Sequence, residues 1–258
     1  MKRAGVVALN TFREAVRDRV LYTLVFFALL MMAAAILVGQ ISLGIEEVVI
    51  KTLGLSAISV IGLLIAVFIG VGLVHKEMDK RTLYALLAKP VRRWEFLLGK
   101  FGGLVLTLAV NTLAMAAGLF AALLYVKHHL ERADVVLLVA IYFILLKLML
   151  VVALALLFSC YSTPLLAILY TSAFYVAGLF VEDMRTFHLA TASTATQGFL
   201  RGLSYVLPNF EDFDVMGAAA HGTAVTSALI LQNTLYALLY SAIVLLIAAA
   251  VFSRRNLK

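Results

Sequence analysis

Long apolar runs separated by short charged clusters make up most of the chain from Val20 onward. Six windows are long enough to cross a bilayer as helices, at about residues 20–43, 52–74, 101–126, 135–158, 164–181 and 229–252. A span needs about 20 apolar residues rising about 1.5 Å each. Lys147 is the one charged residue inside any of the six windows. The pattern predicts an all-α, polytopic membrane protein with six transmembrane helices, forming a single transmembrane domain over residues 1–258.

Composition agrees. The 258 residues are 64% hydrophobic and 14% charged, with a mean hydropathy of +1.06; soluble domains are nearer about half apolar and about a quarter charged. Three prolines and sixteen glycines do not make a low-complexity chain. The single cysteine, Cys160, excludes an internal disulfide and a cysteine-based zinc site. The first window has no short apolar core followed by a small-residue cleavage site, so no removable signal peptide is expected.

Charge placement sets the orientation. Most of the Lys and Arg residues fall before the first span, in the 75–100 block, or after the last span. The opposite side holds Lys51, Lys127, Arg132, Arg185 and Arg201, together with most of the acids. Both termini are therefore expected in the cytoplasm, in the (inner) membrane of a bacterial or archaeal cell. The net charge of +7 is then a topology signal, and no nucleic-acid partner is expected.

Ahead of the first span, Leu9, Phe12 and Val16 share one face of a predicted amphipathic helix, with Arg13 and Arg17 on another. Such a helix lies in the membrane interface. The outer segment, about residues 182–228, is long and too apolar for a free loop. It is expected to form re-entrant or capping helices with a turn at Pro208-Asn209, because irregular backbone at membrane depth must be covered by protein or face water.

Motifs for soluble chemistry are absent. Gly99-Lys100 is followed by Phe101, without the upstream glycine of a phosphate-binding loop. There is no HExxH and no G-x-S-x-G. His128, His129, His188 and His221 read as polar surface, so no metal site is expected and no catalytic residue is assigned. Lys147 is costly at mid-membrane, by about 2.5–3.5 kcal/mol on insertion scales. It should face protein, water or a partner helix, and a structural role is preferred over a substrate path. Ser59, Gly62, Ala66 and Gly70 line one face of the second span and would allow close helix approach. Thr171 and Tyr175, with Gly178, make a second, partly polar line in the fifth. Together these residues are candidates for a translocation path or a dimer face. Thr107 and Asn111 read as interhelical hydrogen-bonding groups.

One dense charged block stands apart. Residues 75–100 include Lys76, Glu77, Asp79, Lys80, Arg81, Lys89, Arg92, Arg93, Glu95 and Lys100. Its centre, "RTLYALLAKP", can form a short helix with Leu83, Leu86 and Leu87 on one face, and Pro90 prevents its continuation. An apolar face that is neither core nor lipid-spanning calls for a partner groove.

With this block the sequence resembles the permease subunits of ABC transporters of the ABC type-2 exporter class. Their pattern E-x-x-x-x-T-L-x-x-L-L-x-x-P-V-x-R, followed by G-K, stands here as Glu77, Thr82, Leu83, Leu86, Leu87, Pro90, Val91, Arg93, Gly99 and Lys100. Lys80-Arg81 depart from the small residues often found before the threonine. "LPNFEDFD" is also similar to a subgroup linked to multi-copper enzyme maturation.

The resemblance implies that the block carries a coupling helix docking on a separate ABC ATPase, with Glu77, Thr82, Leu83, Leu86, Leu87, Pro90 and Arg93 as the coupling residues. It also implies a second, identical permease subunit, two ATPase copies, and spans two and five lining the central path. This chain would bind no cofactor, ATP and Mg residing on the partner ATPase, and would not itself be an enzyme. The alternative is a membrane anchor that transmits ATPase work to an extracytoplasmic protein without moving a solute.

Overall fold

The computed structural model describes residues 2–42, 44–79, 93–129, 131–186, 198 and 202–254. Its main helices are α1 (Lys2–Val16), α2 (Arg19–Ile41), α3 (Glu46–Asp79), α4 (Arg93–Lys127), α5 (Val136–Ser159), α6 (Pro164–Leu179), α7 (Val181–Thr186), α8 (Met216–Ala220) and α9 (Ser227–Arg254), with 3-10 turns at Arg132–Val135 and Glu211–Phe213. No strand occurs among the described residues.

The chain turns between α1 and α2 at Arg17-Asp18, where the Asp18 carboxylate accepts from the Val20 N–H at 3.0 Å. This satisfies one of the free donors that every helix start leaves. At the other end of the bundle Gly44 (φ +86°) precedes α3 and His128 (φ 60°) follows α4. The His128 N–H donates to the Leu124 carbonyl at 2.9 Å, a left-handed helix cap formed without glycine.

Among the described residues, five helical stretches are long and apolar enough to cross a membrane: Arg19–Ile41, Glu46–Leu73, Trp94–Lys127, Val136–Ser159 and Ser227–Ser253. The protein is thus a multi-pass, all-helical membrane protein. The expected fifth span is α6, which has 16 residues. At 1.5 Å per residue it covers about 24 Å, less than the roughly 30 Å hydrocarbon core.

Two helices run further than the hydropathy pattern predicts. α3 has 34 residues and α4 has 35, each about 50 Å long, or roughly 20 Å more than the hydrocarbon core. Both ends of the charged block are therefore helical: Lys76–Asp79 continues α3, and Arg93–Lys100 begins α4. Hydropathy cannot register these turns because their charged residues do not interrupt backbone hydrogen bonding.

α5 is the axis of the bundle. It packs against α3, α4, α6 and α9 and is buried on nearly every side, so its apolar residues need no single preferred face. α2 and α9 are peripheral. α2 buries the stripe Leu21, Ala28, Met32, Ala35 and Gly39 and leaves Phe26, Phe27, Leu30 and Leu37 exposed.

Candidate functional site

The small-residue face of α3 is packed inside the chain. A Cβ at Gly62 would lie 2.6 Å from Leu148 Cδ1, and one at Gly70 would lie 3.4 Å from the Ala155 Cβ. Ser59 and Ala66, on the same face, are buried. The helix that meets Gly62 and Gly70 is α5 of the same chain. On α6, Thr171 is fully buried and donates to the Ala167 carbonyl one turn back at 2.7 Å. Thr107 donates likewise to Gly103, and Asn111 to Thr107, each at 2.8 Å. All three bond within their own helices, whereas Thr107 and Asn111 are expected from the sequence to bond between helices.

Tyr175 belongs to a different cluster. Its ring packs on Phe210 at 5.0 Å, and Phe210 is fully buried. The Phe210 N–H donates to the Gly178 carbonyl at 3.1 Å. The Asn209 N–H donates to the Tyr236 hydroxyl at 3.0 Å, Asn233 Nδ2 to the Asp212 carbonyl at 2.6 Å, and the Tyr240 hydroxyl to the Val206 carbonyl at 2.8 Å. Phe213 meets Phe143 at 6.3 Å and Tyr236 at 6.1 Å. Residues 206–213 are thus bound to α5, α6 and α9 by aromatic packing and by side chains that satisfy irregular backbone, as a polar main chain in an apolar bundle requires. Residues 187–197 and 199–201 of the outer segment lie outside the described residues.

Lys147 sits one turn along α5 from Phe143 and is 4% exposed. The Asp214 carboxylate, next in sequence to Phe213, interacts electrostatically with Lys147 and with Tyr175.

The far end of the bundle carries a charge network that sequence reasoning missed. Lys51 Nζ lies 2.7 Å from Asp134 Oδ1 and 3.7 Å from Glu47. Lys127 Nζ lies 2.8 Å from Glu47, 3.4 Å from Glu131 and 3.7 Å from Asp134 Oδ2. The side chains of Lys51, Lys127 and Asp134 are at most 6% exposed, whereas Glu47 and Glu131 remain half in solvent. Burial alone would lift the Asp134 carboxyl. The Lys51 ammonium, the Glu131 backbone N–H and the Lys127 charge outweigh it and hold Asp134 below the usual carboxylate range. The network ties the start of α3 to the end of α4 and the start of α5. Its only local signal is the pairing of cations and acids in the two short loops that bound these helices.

At the opposite end, α1 lies on α4. A Cβ on Gly103 would meet the Ala8 carbonyl oxygen at 2.5 Å, and one on Gly99 would meet Val7 Cβ at 2.6 Å and the Ala4 oxygen at 2.8 Å. "GKFGG" is therefore a bed for a helix, which accounts for its glycines without phosphate binding. The docked stripe of α1 contains Val7, Thr11 and Ala15, the last two fully buried. Of the face expected to be apolar and interfacial, Leu9 stays 47% exposed. Lys100 is fully buried beside this junction, with its Nζ 5.8 Å from the centre of the Phe96 ring.

A groove of about 380 Å³ opens between α4 and α9, lined by Trp94, Phe101, Met149, Ser241 and Leu245 among others. Its walls are almost wholly apolar. No cluster of three or more His, Cys, Asp or Glu side chains that could hold a metal occurs among the described residues.

Of the coupling candidates, Thr82, Leu83, Leu86, Leu87 and Pro90 lie outside the described residues. Glu77 falls in the last turn of α3 and Arg93 begins α4.

A bundle of long apolar helices, with a helical strap at one end and a structured segment folded onto the other, defines a polytopic membrane subunit. The family model described as "ABC-2 family transporter protein" matches residues 6–257. The chain belongs to this family and is a permease-type membrane component of an ABC transporter, distinct from the nucleotide-binding subunit. No curated protein gave a match.

Proposed function

We propose that the chain is one half of an ATP-driven exporter, with six spans including α6, both termini in the cytoplasm of a bacterial or archaeal cell, and a separate ABC ATPase docked at residues 80–92. The observation that carries this reading is the overhang of α3 and α4. Both helices are longer than the hydrocarbon core, and they flank the leucine-bearing segment with helical turns whose sequence is rich in charge. The family supplies the ATPase as partner. ATP and Mg reside on that subunit, and this chain supplies no nucleotide chemistry.

A second copy of the chain completes the permease, and two ATPase copies sit beneath it. α6 supports this arrangement: it is short and exposes Leu165, Leu169 and Val176 along its length, with Phe180 just past its end, an apolar surface suited to a neighbouring span. ATP-driven closure of the ATPases pushes the Leu83–Leu87 face and rocks the spans, giving alternating access.

The test is Leu86→Asp. Burying a leucine in a groove contributes about 1.5–3 kcal/mol, whereas an unpaired carboxylate there costs several. The variant should insert normally yet lose co-purification with the ATPase encoded nearby, or lose coupled hydrolysis. Full association together with full coupled activity would refute the docking role.

A further inference from the structure

We propose that Lys147 and Asp214 form an electrostatic latch that draws residues 207–215 onto the bundle. Lys147 lies about 16 Å along α5 from its first residue, at 1.5 Å per residue, in the middle of a helix whose neighbours are apolar. Among the described residues it makes no ion pair or hydrogen bond, although it is almost wholly enclosed. A cation in such a place needs a counter-charge.

The geometry brings one to it. Phe143 and Lys147 occupy one face of α5, a turn apart, and the Phe213 ring rests on Phe143. Asp214 follows directly and is exposed, with one carboxylate oxygen accepting from the Met216 N–H at 3.2 Å. The flexible four-carbon stem of Lys147 lets its ammonium adjust toward a carboxylate held by this segment. Its position explains why a lysine stands at mid-helix in α5 and why the folded-in segment carries an acid just past its aromatic anchors. No ion pair joins the two side chains among the described residues, and the Asp214 carboxylate acts on Lys147 through electrostatics alone.

The test uses the full-length chain with its ATPase partner in lipid nanodiscs, with Cys160→Ser as background. Val215 is 8% exposed, so the rate at which Val215→Cys reacts with a water-soluble maleimide reports how firmly the segment is seated. Asp214→Asn should raise that rate about fivefold or more, in line with coupling between charged neighbours. The increase should persist beside Lys147→Arg, which keeps the charge, and vanish beside Lys147→Met, where no charge remains to pair. An unchanged rate in Asp214→Asn, or the same increase in the Lys147→Met background, overturns the latch. These readouts do not depend on ATPase docking, so their failure is distinct from failure of the transporter reading.

Discussion

The backbone N–H of Phe210 donates to the carbonyl of Gly178 at 3.1 Å, and the Gly178 Cα is so close to the same segment that a methyl group there would lie 2.5 Å from the Pro208 oxygen. A glycine one residue from the end of α6 thus fixes where residues 207–213 rest. Gly178→Ala must push backbone as well as the Phe210 ring. A loss of about 1–3 kcal/mol is expected, as for other overpacked sites. A lower unfolding midpoint in detergent would show it, whereas an unchanged midpoint would mean that the segment shifts freely.

Tyr236→Phe isolates the polar part of the same seat. It leaves the Asn209 N–H without its acceptor, and stranding a buried donor costs about 1–3 kcal/mol. Ring packing against Phe213 and Tyr240 is retained. The unfolding midpoint should therefore fall while helix content, followed by circular dichroism, stays constant.

The far-end network makes a pH prediction. The Asp134 carboxyl is held below its ordinary value in the folded protein, so its ionisation adds stability above the unfolded value of about 3.9. That contribution should be constant from neutral pH down to about pH 5 and should disappear as pH falls through the lower folded value. Asp134→Asn should remove it at every pH, at a cost of about 3–5 kcal/mol for breaking a buried pair. Midpoints of wild type and variant that draw together as pH falls below about 4 are the expected result; a constant offset would contradict it.

Gly103→Leu should detach α1. The Ala8 carbonyl oxygen and Thr11 occupy the space that the new side chain needs, and backbone cannot yield as a side-chain tip can. Cysteines placed at Ala8 and Gly102, which face each other across this junction, should crosslink readily in the parent and poorly beside Gly103→Leu. Gly62→Leu is a milder challenge, because its obstacle is the mobile end of Leu148. It should lower stability without abolishing assembly.

Five of the six expected spans were legible because lipid-facing and core residues alike are apolar, and length alone then separates helices from loops; the expected span at residues 164–181 is a helix too short to meet that measure. A helix ahead of the first span was expected from its basic and apolar faces, but the stripe that docks contains Val7, Thr11 and Ala15 while Leu9 of the expected face stays exposed. What binds the helices together was not. Lys51 and Asp134 are far apart in sequence, and nothing local marks either as buried. The glycines at 99, 103 and 178 show that some backbone comes close, but not which one. Lys147 stood out at once as an anomaly, whereas its relation to Asp214 depends on a folded-back segment whose path the apolar pattern does not encode.

The overhanging turns of α3 and α4 also have a mechanical consequence. The ion pairs of Lys51 and Lys127 fix the far rim of the bundle, so, beyond a hydrocarbon core of roughly 30 Å from that rim, about 12 Å of α3 and about 20 Å of α4 project at the end where residues 80–92 join the two helices. A helix is stiff along its axis, so the overhang works as a crank. A tilt of about 10° at the membrane surface moves a tip 20 Å away by about 3.5 Å, close to the rise of two residues. Small angular changes among the spans are thereby geared into larger displacements at the tips, and force applied at a tip returns to the spans through the same lever.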